Sequence, residues 1–127
     1  MSGAVLDASA LLAVMLNEPG ADVVEAHFES AVISAVNLAE VGAKMIERGA
    51  ALELLEAEIR AAEITVVAFD AAQAMESARL RPATKERGLA LDDRACLALA
   101  ARTDRIVLTS DRDWTEVRLP LDIRLIR

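Results

Sequence analysis

Residues 91–114 run Leu91-Asp92-Asp93-Arg94-Ala95-Cys96-Leu97-Ala98-Leu99-Ala100-Ala101-Arg102-Thr103-Asp104-Arg105-Ile106-Val107-Leu108-Thr109-Ser110-Asp111-Arg112-Asp113-Trp114. From Asp92 to Arg102 the spacing predicts a helix that is apolar nearly all round, so it belongs in the interior. Shortly after it, Ile106-Val107-Leu108-Thr109 is a continuous apolar run, too short for a helix and too uniform for a strand with one wet face. A buried helix feeding a buried strand is the repeating unit of a parallel sheet covered on both faces. The same alternation recurs on either side. Ala4-Val5-Leu6, Ala31-Val32-Ile33-Ser34, Ile64-Thr65-Val66-Val67 and Ile123-Arg124-Leu125-Ile126 read as further strands. Between them, helices are predicted from Ser9 to Leu16, from Asp22 to Glu29, from Asn37 to a stop at Gly49, over about 51–62, and from an Asp70 cap to about Leu80. Asn17-Glu18-Pro19-Gly20 closes the first helix, and Pro82 is expected to open an irregular basic stretch from Arg79 to Gly88. The expected fold is one domain across 1–127, of α/β class: a three-layer α/β/α sandwich with a central, mostly parallel five-stranded sheet.

Composition narrows what such a domain does. At 127 residues it has room for one sizeable core. Its 14 basic and 21 acidic residues give a net charge of -7, which excludes holding nucleic acid or membrane by bulk positive charge. His27 is the only histidine, which excludes metal-free chemistry between two histidines. A lone Cys96 allows neither an internal disulfide nor a Cys-rich zinc site and suits a reducing, cytoplasmic setting. One Trp, two Phe and no Tyr offer no aromatic platform for bases. No uninterrupted apolar run reaches the roughly 18 residues of a membrane span, so no membrane partner is expected. Chemistry must rest on carboxylates and arginines.

In an open parallel sheet the working groups collect outside the carboxyl ends of the strands. Asp7 follows the first strand, and Glu40 lies just past the second. Asp92 and Asp93 begin the buried helix, and Asp111 and Asp113 follow the fourth strand. Each has an ordinary structural reading. Asp7, Asp92 and Asp111 suit N-caps, Asp93 suits a helix dipole, and Asn37 with Glu40 has capping-box spacing. Together they mean more, because converging carboxylates repel one another unless a cation lies among them. Oxygen donors without His or Cys select Mg²⁺ or Mn²⁺ over zinc. Such an ion activates water and offsets charge in phosphodiester cleavage, so no side-chain nucleophile is needed. Ser9, Thr109 and Ser110 are hydroxyls placed to orient the carboxylates or water, or to make plain capping and strand-end bonds.

Val5-Leu6-Asp7-Ala8-Ser9, Asn37-Leu38-Ala39-Glu40-Val41, Leu91-Asp92-Asp93-Arg94-Ala95-Cys96-Leu97-Ala98-Leu99-Ala100 and Val107-Leu108-Thr109-Ser110-Asp111-Arg112-Asp113-Trp114, in that order and over essentially the whole chain, resemble a PIN-domain ribonuclease. More narrowly, the set resembles the VapC-type toxin of a type II toxin–antitoxin pair. The resemblance implies an Mg²⁺-dependent endoribonuclease whose catalytic and metal-holding acids are Asp7, Glu40, Asp93 and Asp111. It selects Asp93 over Asp92 because the family's acid directly precedes the Arg-Ala-Cys-Leu-Ala-Leu-Ala helix; the residue before that acid is usually small, and Asp92 departs from this. Asp113 is either a fifth, accessory acid or a cap, with capping the favoured role. The resemblance further implies a homodimer, a cognate VapB-like antitoxin lying across the groove, and structured RNA such as transfer RNA as substrate.

Other residues divide between positioning RNA and plain structure. Arg81, Lys85 and Arg87, with Arg79, are candidates for an RNA-backbone clamp or a solvated loop. Arg94 and Arg112 adjoin catalytic acids and are expected to pair with them, or to bind phosphate. Trp114 and Cys96 read as core and His27 as surface. The apolar residues of the first two helices (Leu11, Leu12, Met15, Val23, Val24, Phe28) form either core or a groove for a partner helix. A phospho-receiver domain shares the length and an acidic pocket. It needs paired acids where Ala8-Ser9 stand and a late lysine, whereas the only lysines are Lys44 and Lys85. A silent PIN-type binding module conflicts with the intact acid set. Setting four acids aside leaves 17 acidic against 14 basic residues, a balance of -3, so binding of RNA would be local rather than global.

Overall fold

Short β-branched triplets between helices leave little room for long strands, and the strands are short. In the computed structural model, which describes residues 3–127, the strands are β1 (Ala4–Leu6), β2 (Val32–Ser34), β3 (Thr65–Val67), β4 (Ile106–Thr109) and β5 (Ile123–Leu125). The helices are α1 (Ala8–Met15), α2 (Ala21–Glu25), α3 (Ala35–Glu47), α4 (Leu52–Ala61), α5 (Ala71–Arg79), α6 (Arg81–Thr84) and α7 (Leu91–Thr103). One sheet runs in the order β3-β2-β1-β4-β5, and every pairing is parallel rather than mostly so.

The period of two along each strand decides the layers. Val5 lies beside both Val32 and Val107, and Val107 beside Ile123. These side chains share one face with Cys96, Leu97, Leu99 and Ala100 of α7 and with fully buried Trp114. Their neighbours Ala4, Leu6, Ile33 and Leu108 face the other way, onto Leu11 and Leu12 of α1, Val24 of α2, Val41 and Met45 of α3, and Leu55 of α4. Trp114 and Cys96 are therefore core, as expected. Leu11, Leu12 and Val24 are buried, and Met15, Val23 and Phe28 pack against them, so the first two helices form core and not a partner groove. The open apolar groove lies elsewhere, between α3 and α4, where Leu38, Ile46, Leu52 and Ile59 line it.

Three elements differ from the sequence reading. Asn37 does not open α3: Ser34 is the N-cap, its Oγ accepting from the Val36 N–H at 3.2 Å, and Asn37 lies inside the helix, fully buried. The basic stretch is not irregular either. Pro82 occupies the first turn of α6, where its missing N–H costs nothing, and residues 85–87 continue as a 3₁₀ turn. The second helix is also shorter than expected, ending at Glu25. No helix among the described residues is long and apolar enough to cross a membrane.

Candidate active site

Strand order reverses between β1 and β4, because the chain builds outward through β2 and β3 on one side and through β5 on the other. That switch point opens a crevice at the carboxyl ends of the two strands. Asp7 leaves β1 at this crevice and is 5% exposed. Its Oδ2 accepts two hydrogen bonds, from Ser9 Oγ at 2.7 Å and from Thr109 Oγ1 at 2.8 Å. Ser9 Oγ in turn accepts from the Ser110 N–H at 2.9 Å, and Thr109 Oγ1 from the Asp111 N–H at 3.1 Å. The carboxylate is thus locked to the end of β4 through two hydroxyls. Ser110 takes part through its backbone, not its hydroxyl.

The other acids approach from separate elements. Asp93 lies in the first turn of α7, its Oδ2 accepting from the Ala90 N–H at 2.9 Å. Burial pushes its pKa up to about 6, against that hydrogen bond, and the charges of Asp92, Asp7 and Asp111 add to the rise. Glu40, one turn into α3, is pushed up to about 7, first by burial, then by the adjoining Asp92 carboxyl and the charges of Asp92 and Asp7. Lys44, 3.6 Å away, opposes the rise. Burial also raises Asp7, against the bonds from Ser9 and Thr109. The Cys96 thiol is pushed up by burial above all, and then by Asp7, Asp93, Glu40 and Asp92. The four sequence-predicted acids therefore share one field, with Asp92 as a fifth member.

Several expectations change. Asp92 is not an N-cap; Ala90 holds that position. Asp7 holds an N-cap position but makes no side-chain cap, while Asp111 caps the 3₁₀ turn over Arg112–Glu116 through the Asp113 N–H at 3.0 Å. The cap there is Asp111 and not Asp113. Asn37 and Glu40 form no capping box; Asn37 instead reaches across to α7, its Nδ2 donating to the Asp92 carbonyl at 2.9 Å. That tie sets the spacing between the helix carrying Glu40 and the helix carrying Asp93. Its one sequence signal is a poor helix former among apolar neighbours inside a helix.

Arg94 and Arg112 do not pair with the acids. Arg94 Nη1 donates to the Ser77 carbonyl of α5 at 3.3 Å, and Arg112 Nη2 to the Arg127 carbonyl at 3.2 Å. In the basic stretch, Arg81 Nη1 meets the Leu89 carbonyl at 3.5 Å, Arg87 meets Glu116 at 3.8 Å, and Lys85 is exposed. Among the described residues no hydrogen bond or ion pair joins this stretch to the acids.

The donor set suits a hard divalent cation. It consists of carboxylate oxygens graded from buried Asp7 through half-buried Glu40 and Asp93 to exposed Asp111, and Glu40 Oε1 is buried with no donor of its own. Among the described residues, no three such groups lie close enough, as their side chains stand, to hold a metal ion between them.

Raised carboxyl pKa values fix the sign of a stability effect. Asp93 and Glu40 hold protons more tightly folded than unfolded, so their contribution is complete below about pH 4. It is lost as pH climbs through about 6 and then about 7. Asp122, lowered by its bond to Arg124, acts in the opposite sense but below that window. Thermal melts in a chelator are expected to show Tm falling between about pH 4 and pH 7. A flat or rising profile would contradict the shared field.

The chain and its fold are similar to known proteins. The family model described as PIN domain matches residues 4–119. The fold is similar to a toxin–antitoxin complex from Klebsiella pneumoniae, with TM-score 0.76, 19% identity and 98% of each chain covered. It is similar to DNA-bound VapBC from Salmonella typhimurium, with TM-score 0.78, 18% identity and 100% of each chain covered. VapBC-5 from Mycobacterium tuberculosis, of the VapBC family of toxin–antitoxin systems, matches at TM-score 0.58 and 25% identity, over 100% of this chain and 99% of that one. No curated protein matches the chain.

Proposed function

The chain belongs to the PIN domain family, and on that premise we propose that it is a metal-dependent endoribonuclease toxin restrained by a VapB-like antitoxin. PIN domains are typically nucleases and generally use divalent metals. The observation that carries the reading is Asp7: a carboxylate 5% exposed, gripped by Ser9 and Thr109, at the point where charges from α3, α7 and the end of β4 meet. Such an arrangement is costly in an empty, merely structural pocket.

Asp7, Asp93, Glu40 and Asp111 would hold Mg²⁺ or Mn²⁺, and the bound ion supplies activation of water and charge neutralisation at the phosphate. The chain's own residues do the rest. Ser9 and Thr109 fix the Asp7 carboxylate in one rotamer, so its orientation is set before substrate arrives. The tie from Asn37 to the Asp92 carbonyl holds α3 and α7 in register. Without the cation Glu40 holds its proton up to about pH 7, and binding of the ion would displace that proton. Structured RNA such as transfer RNA is the proposed substrate, and a homodimer the proposed working form. Purified protein, freed of any partner, is expected to cleave RNA with Mg²⁺ or Mn²⁺ and to stop with EDTA. Undiminished cleavage in EDTA would remove the metal from the reading, and no cleavage with either ion would remove the nuclease.

A further inference from the structure

Beside the acids lies a cavity of about 460 Å³ whose inner wall is Ser9 and Ser110, the same residues that brace Asp7. Its outer walls carry Lys44, Arg48 and Arg127, with Glu18 and Glu47 between them. Three cations against two acids give a balance of +1 in a chain whose total is -7. A fourth cation adjoins, since Arg112 donates to the Arg127 carbonyl at 3.2 Å. The acids are partly engaged: Glu18 Oε1 stands 4.0 Å from Arg127.

The spacing along α3 gives this groove a direction. Glu40, Lys44 and Arg48 stand at every fourth position, one above another on one helix face, about 6 Å apart along the axis at 1.5 Å per residue. The row starts in the acidic pocket and leaves it as positive charge. Lys44 and Arg48 are exposed, and the Lys44 ammonium stands 3.6 Å from Glu40, at the mouth of the acidic pocket. On the opposite wall Arg127 is braced by its Nη1–H to the Pro19 carbonyl at 2.9 Å. The other basic stretch lines none of this cavity; its Arg87 pairs with Glu116 at 3.8 Å.

We infer that this groove is the phosphate track of the substrate: the RNA strand leaves the cleavage point past Ser9 and Ser110, with its backbone phosphates running along Lys44 and Arg48 and against Arg127. The inference rests on the nuclease reading above and adds which face of the molecule takes the strand. Leu12 and Leu16 also line the cavity, but Lys44, Arg48 and Arg127 stand around it with the Ser9 and Ser110 side, and Lys44 and Arg48 recur at one helical step, so a phosphodiester chain fits better than a wholly apolar segment.

The test uses the full chain with Mn²⁺. Lys44→Gln/Arg48→Gln/Arg127→Gln is compared with the parent on an RNA of about 20 nucleotides and on a dinucleotide. On the long RNA, KM is expected to rise about tenfold or more. The slope of log(1/KM) against log[salt] is expected to flatten by about 2, at about 0.7 for each phosphate that is no longer neutralised. The rise in KM is expected to be smaller on the dinucleotide, which is too short to reach Arg48. An equal rise on both substrates would indicate a disturbed pocket and overturn the track. So would an unchanged KM and salt slope, or a larger effect from Arg81→Gln/Lys85→Gln/Arg87→Gln. In each of those cases the parent still cleaves, and the nuclease reading stands; if the parent itself does not cleave, both fall together.

Discussion

Asp7→Asn is expected to abolish RNA cleavage and, in the same protein, to raise the melting temperature at neutral pH. The two effects come from one carboxylate. As the most buried acid of the cluster, it is the donor that solvent cannot replace. Its loss should cost several kcal/mol of charge stabilisation, on the order of 10³-fold in rate at about 1.4 kcal/mol per tenfold. The fold does not need the charge. An Asn carbonyl oxygen still accepts from Ser9 Oγ and Thr109 Oγ1, so the link from β1 to β4 survives. What disappears is the desolvation cost of an anion, together with its repulsion of Glu40 and Asp93. The Ala8 and Ser9 N–H groups favour the charged carboxylate over a neutral amide, which limits the gain. A gain of about 1 kcal/mol, roughly 4 °C for a domain of this size, is the expected order. The gap should close as pH falls, because burial makes the Asp7 carboxyl of the parent take up a proton more readily than an exposed one. Melts in EDTA, paired with cleavage assays in Mn²⁺, measure both. A variant that still cleaves would remove Asp7 from the mechanism, and one that melts lower at neutral pH would show that the carboxylate stabilises the fold.

This trade explains why the site is more readable in the sequence than some of the elements around it. Asp7 and Asp111 follow strands whose apolar triplets are unambiguous, and Asp93 heads a helix with no polar face. Their positions at one sheet edge follow from the alternation of strands and helices. Asn37 misleads because Ser34 and Asn37, three residues apart, are both good caps. Only the length of β2 decides between them, and that depends on its pairing with β3. Pro82 misleads for a similar reason: the residue that ends one helix is equally suited to the first turn of the next. Arg94 and Arg112 are neighbours of acids in sequence, which suggests pairing. Neighbours along a helix or turn point in different directions, however, and both guanidiniums reach backbone carbonyls instead. The cationic groove is beyond local reading altogether, since Lys44 and Arg48 reach one cavity with Arg127 only through the fold.

Asp93→Asn and Asp92→Asn are expected to part company sharply, and the contrast decides which of the two neighbours does the chemistry. Asp93 is the residue whose carboxyl feels the charges of both Asp7 and Asp111. Its substitution keeps an acceptor for the Ala90 N–H, and so keeps the first turn of α7. Cleavage should nevertheless fall on the order of 10²- to 10³-fold, as for loss of any acid that meets the cation. Asp92 stands on the Glu40 side, and its carboxyl helps to hold the Glu40 pKa near 7. Asp92→Asn should therefore retain cleavage. With one like charge gone, Glu40 gives up its proton more readily, so the acidic limb of the pH–rate profile should move to lower pH. Both α7 variants keep the Asn37 tie, which is made to the Asp92 backbone carbonyl and not to its side chain. Differences between them therefore report carboxylate chemistry rather than a loosened helix. If Asp92→Asn is the inactive protein and Asp93→Asn cleaves normally, the third acid is Asp92, and the carboxyl at position 93 serves only to cap its helix.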